Sequence, residues 1–326
     1  MMDVPLTFGP IPSRRLGFSL GVNNIPPKNC SYACVYCQVG RTNPMLVERR
    51  EFYPADRVAA EVEESLIKAR GAGKAVDYVT FVADGEPTLD LALGEEIRRI
   101  RRLGVPVAVI SNASLIDRAG VREDLAEADW VSLKVDAAGE STWRKIDRPH
   151  GRLSLARILE GIVLFASAFG GKLATETMLV AGYNDSEEDL EAAAAFLAGV
   201  KPSVAYLSVP TRPPCESTVT PPSPDILARA YRIYAARLAE VEFLTGSEGN
   251  DFAALGPAAD ALLGIVAVHP LRAEAARELL APGGDPEEIL EDLLNKGLLA
   301  RTAYAGETFY QRKFTPPSPS RPGEGS

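Results

Sequence analysis

Short apolar segments alternate along the chain with longer segments in which apolar residues recur every three or four positions. The short segments are near-continuous in apolar residues, which favours strands buried on both faces of a parallel sheet. This pattern predicts the strands Phe18–Val22, Val76–Val82, Val105–Ile110, Trp130–Val135, Leu173–Val180, Val204–Val209 and Val241–Thr245. Between them it predicts the helices Arg57–Ala69, Ala92–Leu103, Asp117–Ala128, Ser154–Phe169, Ser186–Ala198 and Pro224–Ala239. Repeated strand–helix units indicate an α/β fold, either an incomplete (β/α) barrel or a doubly wound open sheet.

The pattern changes after residue 250. Residues 258–295 are helical in pattern, and Leu298–Tyr304 and Glu307–Lys313 alternate around the turn Ala305-Gly306, which predicts a hairpin. Helices followed by a hairpin are typical of a winged helix. The predicted parts are therefore a large domain at 1–250, a small winged-helix-like domain at 251–314 and a disordered Pro-rich and Ser-rich tail at 315–326.

The charge of the chain argues against nucleic acid as a partner. The net charge is −9 and the pI is about 5.0, whereas a nucleic-acid binder should show a basic face or stripe. The helix that a winged helix would place in a DNA groove is acidic and carries Asp285, Glu287, Glu288, Glu291 and Asp292. A basic funnel built from Arg14, Arg15, Arg41 and Arg212 is a local feature that the net charge could hide.

Length and hydrophobicity bound the size and location of the protein. The 326 residues, 46% of them hydrophobic, are enough for one large domain and one small one. No segment is long and apolar enough to span a bilayer, so we expect no membrane partner. The first residues carry neither the basic region nor the apolar core of a secretory signal, so we expect no secretion.

Three of the four cysteines lie within eight residues, at Cys30, Cys34 and Cys37. A loop this short can turn three thiolates towards one point. Structural zinc needs four ligands, and neither His150 nor His269 has a cysteine–histidine spacing around it. A disulfide would leave an odd cysteine, so an iron–sulfur cluster fits better, with a solitary electron-transfer cluster or a zinc site with a distant fourth ligand as alternatives. Thiolate ligands and few cysteines favour the reducing cytoplasm.

The C-x3-C-x2-C spacing, with the aromatic Tyr36 just before its last cysteine, resembles the signature of the radical S-adenosylmethionine (radical SAM) superfamily. The resemblance covers roughly residues 8–250 and implies a partial (β/α)6 TIM-like barrel. It implies that Cys30, Cys34 and Cys37 hold one 4Fe–4S cluster, whose open iron binds S-adenosylmethionine beside Tyr36. A one-electron reductant such as flavodoxin or ferredoxin would then drive cleavage to methionine and a 5′-deoxyadenosyl radical, which abstracts hydrogen from the substrate.

Barrel active sites lie at the carboxyl ends of the strands, so the residues after each predicted strand are candidate site residues. After Val76–Val82 comes Gly85-Glu86-Pro87, which is similar to the segment that holds the amino group of S-adenosylmethionine in the superfamily. An ordinary Gly-Pro turn is the alternative. The family often has a glycine where this chain has Asp84, which is a mild departure.

Two further strand ends carry candidate cofactor residues by the same resemblance. Ser111 and Asn112 stand where the family places ribose and carboxylate contacts, with capping of the next helix as the alternative. Val180 stands where the family packs the adenine base, and the alternative is a strand end followed by a helix cap at Asn184 or Asp185.

The candidate catalytic residues are Lys134, Asp136 and Arg212. Lys134 and Asp136 alternate on one face of a strand, where they could touch substrate or cofactor or form a structural ion pair. Arg212 could bind an anionic group of the substrate or the cofactor carboxylate. Cys215 could donate a hydrogen atom or ligate metal, although a lone cysteine is more often inert. The segment Gly246–Asn250 could line the substrate mouth.

Within the superfamily, the runs 12–17 and 23–28 are most similar to the tRNA wyosine-base synthases. The archaeal-type members of that branch bind a second cluster with three further cysteines, and this chain has only Cys215 left. We therefore expect a radical SAM enzyme with a small-molecule or protein substrate, and keep tRNA modification as the alternative. A non-catalytic iron–sulfur sensor with a winged-helix output domain is the rival from another class, although a sensor would not need the Gly85-Glu86-Pro87 segment.

Overall fold

An eight-stranded sheet carries the fold, in a computed structural model that describes residues 5–42, 45–246 and 248–313. The strands follow one another across the sheet in the order in which they occur along the chain. The first two strands pair antiparallel, and every later pair is parallel. The strands are β1 Thr7–Ser13, β2 Gly17–Val22, β3 Tyr78–Phe81, β4 Val107–Ser111, β5 Trp130–Lys134, β6 Lys172–Met178, β7 Val204–Ser208 and β8 Val241–Leu244.

Each parallel connection runs through helix. The helices are α1 Ala55–Gly71, α2 Leu93–Arg101, α3 Ala119–Ala126, α4 Glu140–Ile146, α5 Leu155–Ala168, α6 Glu187–Val200 and α7 Pro224–Ala235, with α4 and α5 sharing the β5–β6 connection. In a doubly wound sheet the strand order reverses at a switch point, whereas here it never reverses. The fold is therefore α/β with a curled sheet like that of a partial (β/α) barrel, built from strand–helix units and ended by β8.

All the strands predicted from apolar runs are present, and their boundaries lie close to those predicted. The structure adds β1, which the sequence pattern did not predict because Pro10 and Pro12 interrupt it. Proline is tolerated there because β1 is an edge strand, where unpaired backbone positions need no N–H. The structure also adds the short helix α4, which lies in a stretch to which no element was assigned.

The apolar faces of the helices pack on the sheet as their periodicity predicts. Val58, Val62 and Leu66 recur along α1 and are buried against the sheet. On the next helix, Ile97 and Ile100 have no exposed surface. Burial of each such side chain stabilises the fold by about 1.5–3 kcal/mol, and it fixes the strand ends that carry the polar residues described below.

Residues beyond 250 form a second set of elements with its own core, termed the carboxyl-terminal module. Its elements are α8 Ala258–Val268, β9 Leu271–Arg272, α9 Ala273–Leu280, α10 Pro286–Asn295, β10 Leu299–Tyr304 and β11 Glu307–Arg312. The strands β10 and β11 pair as the predicted hairpin, and β9 joins them in a three-stranded sheet. Leu262, Ile265, Leu290 and Tyr310 are among its buried residues. The predicted tail, 315–326, lies outside the described residues.

The module lies against β1 and the loop after β7. The backbone N–H of Ala253 donates to the carbonyl of Pro10 at 3.1 Å, and the Tyr304 hydroxyl donates to the carbonyl of Pro210 at 3.1 Å. A methyl group placed on Gly264 of α8 would lie 3.6 Å from Cβ of Phe8, so the helix is in close contact with the edge strand. Within the described ranges, none of the helices combines the length and apolarity required to cross a bilayer.

Glu96 of α2 is a buried carboxylic acid with one hydrogen bond. Its Oε2 accepts from Nδ2 of Asn24 at 3.1 Å, while Oε1 has no partner among the described residues. Burial, and to a lesser extent the charge of Asp90, raises the pKa of Glu96 to about 9. The folded chain thus holds a proton between about pH 4.5 and pH 9 that the unfolded chain releases, so stability falls as pH rises through this window.

We therefore expect Glu96→Gln to flatten this decline and to raise the free energy of unfolding at about pH 8 by a few kcal/mol, because one pKa unit corresponds to about 1.4 kcal/mol. Urea unfolding measured at about pH 5 and pH 8 checks the result. Glu63→Gln on the exposed face of α1 is the control, and it should leave the change of the free energy of unfolding with pH as it is in the wild type. An equal pH dependence in the wild type and in Glu96→Gln would contradict the assignment.

Candidate functional site

The three clustered cysteines lie on the loop that follows β2, at the carboxyl end of the parallel strands. Their thiols are free and partly buried. The amide of Cys37 donates to the carbonyl of Cys34 at 3.1 Å, which closes a tight turn between these two residues. Backbone bonds from Ala33 to the carbonyl of Asp147 and from Val35 to that of Ile146 tie the loop to the end of α4. The helix that the sequence pattern missed therefore braces the cysteine loop.

The donor set fits a cluster with three protein ligands. Burial raises the pKa of the Cys30 thiol to about 12, and the pKa of Cys34 is also raised, by burial and then by Asp147 and the neighbouring thiols. Three mutually interacting buried thiols would be stabilised as thiolates by bound iron. In the described part of the chain, no three His, Cys, Asp or Glu side chains lie close enough to hold a single ion. Thiolates are the usual ligands of an iron–sulfur cluster.

Tyr36, Lys134 and Asp136 come together beside the cysteine loop. The Tyr36 hydroxyl donates to Oδ2 of Asp136, and Nζ of Lys134 lies 4.6 Å from the centre of the tyrosine ring. The ion-pair partner of Lys134 is Glu176, at 3.6 Å, rather than the predicted Asp136. Asp136 instead accepts from the amide of Met178 at 2.7 Å and so fixes the end of β6.

Electrostatics keep Lys134 charged in this buried position. Burial alone would lower the pKa of Lys134, but the carboxylates of Asp136 and Glu176 outweigh it and raise that pKa above its ordinary value. Burial and the neighbouring Asp136 likewise raise the pKa of Tyr36. Sequence reasoning missed Asp147, whose Oδ1 lies 3.4 Å from Sγ of Cys34 and 3.3 Å from the Tyr36 hydroxyl. No motif marks it, because its position depends on α4.

Glu86 connects the ends of β3 and β4 through four hydrogen bonds. Its Oε1 accepts from the amide and hydroxyl of Thr88 at 3.0 and 2.6 Å and from the hydroxyl of Ser111 at 2.8 Å. Its Oε2 accepts from the amide of Asn112 at 2.7 Å. Burial raises the pKa of Glu86, although these bonds offset part of the effect. Pro87 begins the short 3-10 turn Pro87–Leu89 that presents the Thr88 donors.

Asn112 extends this network to the cysteine loop. Its Nδ2 donates to the hydroxyl of Ser31 at 3.1 Å and lies 3.5 Å from Sγ of Cys30. Ser111 and Asn112 do not cap the next helix, because α3 begins only at Ala119. The helix-cap alternative is therefore wrong for both residues. Asn112 instead joins the end of β4 to the cysteine loop, and Ser111 donates to Glu86.

Gly85 allows the end of β3 to touch the cysteine loop. Its φ is +154°, and a Cβ at this position would lie 1.9 Å from the carbonyl oxygen of Asn29. The amide of Glu86 donates to that carbonyl at 3.0 Å. A side chain at this position would clash with the backbone just before Cys30, so the contact requires glycine. Asp84 forms a buried ion pair with Lys28 at 3.2 Å on the same loop.

Val180 is fully buried beneath the cysteine loop, where it packs with Val35, Ile146 and Val219. The side chain of Asn184 accepts from the amide of Val180 at 2.9 Å. Neither Asn184 nor Asp185 caps α6, because Ser186 does so by accepting from the amide of Asp189. The predicted cap position was therefore wrong, since the cap is Ser186, one residue after Asp185.

Arg212 lies in a buried charge network with Glu248 and His269. Its NH2 group lies 2.6 Å from Oε1 of Glu248 and 3.0 Å from Nε2 of His269. Its NH1 group donates to the side chain of Gln38 at 3.3 Å, and Gln38 in turn donates to the carbonyl of Val268 at 3.2 Å. Burial and the adjacent Arg212 lower the pKa of His269 to about 4, so this histidine is neutral at pH 7. Of the predicted mouth segment, Ser247 lies outside the described residues.

A cavity of about 300 Å³ opens between the cysteine loop and these charges. Of the candidate residues, those that line it are Tyr36, Cys37, Gly85, Lys134 and Arg212. The remaining candidates, Cys30, Cys34, Glu86, Pro87, Ser111, Asn112, Asp136 and Val180, are not among its lining residues. Arg14 and Arg15 of the suggested basic funnel line the cavity as well. Arg41 does not, since its side chain is 80% exposed and pairs with Glu216.

Cys215 braces the cysteine loop through its backbone and thiol. Its amide donates to the carbonyl of Cys37 at 3.0 Å, and its thiol lies 3.3 Å from the carbonyls of Cys34 and Val35. Burial raises the pKa of Cys215 to about 11, so the thiol is protonated and able to donate. These contacts indicate a structural role for the fourth cysteine.

The chain matches a family model and proteins of similar length. A family model described as "Radical SAM superfamily" matches residues 24–197. A UPF0026 protein of Methanocaldococcus jannaschii is 42% identical over 311 residues, which cover 95% of this chain and 96% of that protein. A UPF0026 protein of Helicobacter pylori is 32% identical over 299 residues, covering 90% and 93%.

Two solved structures share the partial barrel. A radical SAM methyltransferase from Sphaerobacter thermophilus matches with a TM-score of 0.51 at 19% identity and covers 71% of this chain and 68% of its own. TYW1 with a lysine–pyruvate adduct bound matches with a TM-score of 0.51 at 18% identity, covering 68% and 74%. At such identities the likeness concerns the fold alone.

Proposed function

The chain belongs to the radical SAM superfamily and is a radical SAM enzyme, and from that premise we propose that Cys30, Cys34 and Cys37 hold one 4Fe–4S cluster at which S-adenosylmethionine is cleaved. The observation that carries the proposal is the set of three free, mutually interacting thiols on one loop at the carboxyl end of the sheet. When bound and reduced, the cluster and S-adenosylmethionine supply a 5′-deoxyadenosyl radical that takes hydrogen from a substrate.

The residues around the cysteines hold the loop and orient the cofactor. Gly85 brings the end of β3 against Asn29, and Glu86 joins β3 to β4. The amino acid end of the cofactor therefore binds to a rigid segment. The remaining lone pair on Oε2 of Glu86 can accept from an ammonium group. Ser111 and Asn112 support that segment through hydrogen bonds and offer polar groups for the ribose or carboxylate of the cofactor. Val180, packed beneath Tyr36, is an apolar neighbour for the adenine.

Three charged residues act on the substrate side. Lys134 is held charged by Asp136 and Glu176 and covers one face of Tyr36. Asp136 fixes the hydroxyl of Tyr36 and the end of β6. Arg212, with a side chain only 9% exposed, closes the cavity from the side of the carboxyl-terminal module. Exclusion of water from this cavity during the reaction would protect a radical from side reactions.

The carboxyl-terminal module completes one wall of this cavity through Val268 and His269. Its helices and hairpin form a winged-helix-like domain at 251–314, beside a radical SAM domain at 1–250. The acidic helix α10 is unsuited to phosphate contacts, so the module serves as a lid or a protein-docking surface rather than as a DNA reader. The reductant is a flavodoxin or a ferredoxin in the cytoplasm, where thiolate ligands persist.

A tRNA substrate, as in the wyosine-base synthases, is the second candidate function. The likeness between this chain and TYW1 concerns the fold, and the chain has only Cys215 beyond the three cluster cysteines. The contacts of Cys215 are to backbone carbonyls, which suits a structural role. With a net charge of −9 as well, we assign the substrate to a small molecule or a protein.

Anaerobic incubation of the reconstituted chain with dithionite and S-adenosylmethionine tests the proposal. We expect 5′-deoxyadenosine and methionine to form in equal amounts even without substrate, because cleavage requires only the cofactor and an electron. Chromatography of the quenched mixture measures both products. Cluster-loaded, reduced protein that forms no 5′-deoxyadenosine would favour the non-catalytic sensor instead.

A further inference from the structure

The two edges of the large sheet approach one another at Arg14. This residue lies in the turn between β1 and β2, and its NH1 group donates to the carbonyls of Leu244 and Gly246, the latter at 3.2 Å. Leu244 ends β8, at the opposite edge of the sheet from β1. The β1–β2 turn thus brings its arginines to the end of β8 and into the cavity.

Cations outnumber carboxylates around this cavity. The charged lining residues are the cations Arg14, Arg15, Lys134 and Arg212 and the carboxylates Glu176 and Glu248. Arg15 and Lys134 share Glu176, and Arg212 takes Glu248. His269 adds no charge at pH 7. The ion pairs therefore leave a net positive charge around the cavity.

Arg14 is the cation without a carboxylate. Its hydrogen bonds go to backbone carbonyls, and no Asp or Glu of the described chain forms an ion pair with it. Burial, followed by the charges of Arg212 and Arg15, lowers the pKa of Arg14 to about 10. Three guanidinium groups brought together in one cavity repel each other, which destabilises the protein unless an anion is bound.

We propose that this cavity binds the anionic group, a carboxylate or a phosphate, of a small-molecule substrate, with Arg14, Arg15 and Arg212 as its anchor. The inference rests on the proposed function for the identity of the site as a substrate site. A volume of about 300 Å³ lies at the small end of ligand pockets, so the group that enters is compact. Guanidinium groups suit carboxylate and phosphate because their planar donors bind two oxygens at once.

The anion belongs to the substrate rather than to S-adenosylmethionine because the two sets of residues lie at different strands. The cofactor candidates Glu86, Ser111 and Asn112 follow β3 and β4. Arg14 follows the edge strand β1 and bonds to the end of the other edge strand, β8, and Arg212 follows β7, which lies next to β8. Tyr36, Cys37 and Gly85 line the same cavity as these arginines, so the substrate anion would lie beside the residues that bind the cofactor.

Isothermal titration of the reconstituted full-length chain, without reductant and at low salt, tests the proposal with inorganic phosphate and with malonate. We expect one of the two to bind at one site per chain, and which one binds tells whether the substrate is a phosphate or a carboxylate. Arg14→Gln should weaken that binding at least about tenfold, since a charge-assisted hydrogen bond is lost. Arg157→Gln is the control, because Arg157 is 70% exposed and pairs with Asp117 away from the cavity.

Three results would overturn the inference. The first is no heat from either anion up to about 10 mM, which corresponds to no useful affinity. The second is equal weakening in Arg14→Gln and Arg157→Gln. The third is loss of anion binding when S-adenosylhomocysteine is saturating, which would assign the site to the cofactor carboxylate. Should Arg14→Gln fail to melt cooperatively, Arg15→Lys gives the same comparison with the charge retained and the planar donors lost. Because the titration involves no electron transfer, it succeeds or fails independently of S-adenosylmethionine cleavage.

Discussion

Alanine at Cys30, Cys34 or Cys37 is expected to strip the iron–sulfur cluster and to abolish formation of 5′-deoxyadenosine. Two thiolates cannot hold a four-iron cube that already leaves one iron open, so each single substitution should remove essentially all bound iron. The wild type should carry about four irons and four sulfides per chain after anaerobic reconstitution. Iron and sulfide analysis, with the visible absorption of the cluster, measures the loss in each variant.

Cys215→Ala is the matched control for these substitutions. Its thiol bonds to the carbonyls of Cys34 and Val35 rather than taking a place among the three cluster cysteines. The variant should therefore keep its iron, with only a small loss of stability from the missing neutral hydrogen bonds. Retention of the cluster in Cys30→Ala, or about eight irons per wild-type chain, would be incompatible with a single cluster on three cysteines.

Glu86→Ala is expected to destabilise the fold by at least about 3 kcal/mol, because it leaves several buried donors without an acceptor. The donors belong to Thr88, Ser111 and Asn112, and the carboxylate that they share has 1% exposed surface. Because Asn112 also reaches the cysteine loop, cofactor affinity should fall together with stability. Urea unfolding and titration with S-adenosylhomocysteine measure the two effects separately.

Glu64→Ala serves as the control for a lost carboxylate. Its side chain is 66% exposed on α1 and pairs with Lys68, an arrangement worth little in stability. A decrease of less than about 1 kcal/mol in the free energy of unfolding of Glu86→Ala would contradict the structural role of the Glu86 hydrogen bonds. Unchanged affinity for S-adenosylhomocysteine would remove Glu86 from the cofactor site.

The parallel strands could be predicted from the sequence because a strand buried on both faces consists of a continuous run of apolar residues. The edge strand β1 has no such run, because it contains Pro10 and Pro12. Proline is compatible with an unpaired edge, but in a sequence it indicates a turn. The short helix α4 was missed for a different reason. It buries only Trp143 and Ile146, too few positions for a periodic pattern to emerge.

The candidate site residues that the sequence itself marks are those whose chemistry depends on spacing along the chain. The cysteine motif and the segment Gly85-Glu86-Pro87 are of this kind. Contacts between distant segments were not predictable, which is why Asp147 and Glu176 were missed and Lys134 was given the wrong ion-pair partner. Arg14 shows the same limit, because its position near β8 follows from the curvature of the sheet.

The contact between the carboxyl-terminal module and β1 also sets the order in which the site is finished during synthesis. Neighbours in the sheet are neighbours in sequence, so β2 to β8 can pair one after another as the chain leaves the ribosome. The hydrogen bond to the carbonyl of Pro10 on β1 forms only after Ala253 has been synthesised. The contacts of Arg212 likewise need Glu248 and His269, and all three partners lie beyond β8. The nascent barrel therefore emerges with its cavity open on one side, and it is closed by segments translated after the last strand of the large sheet.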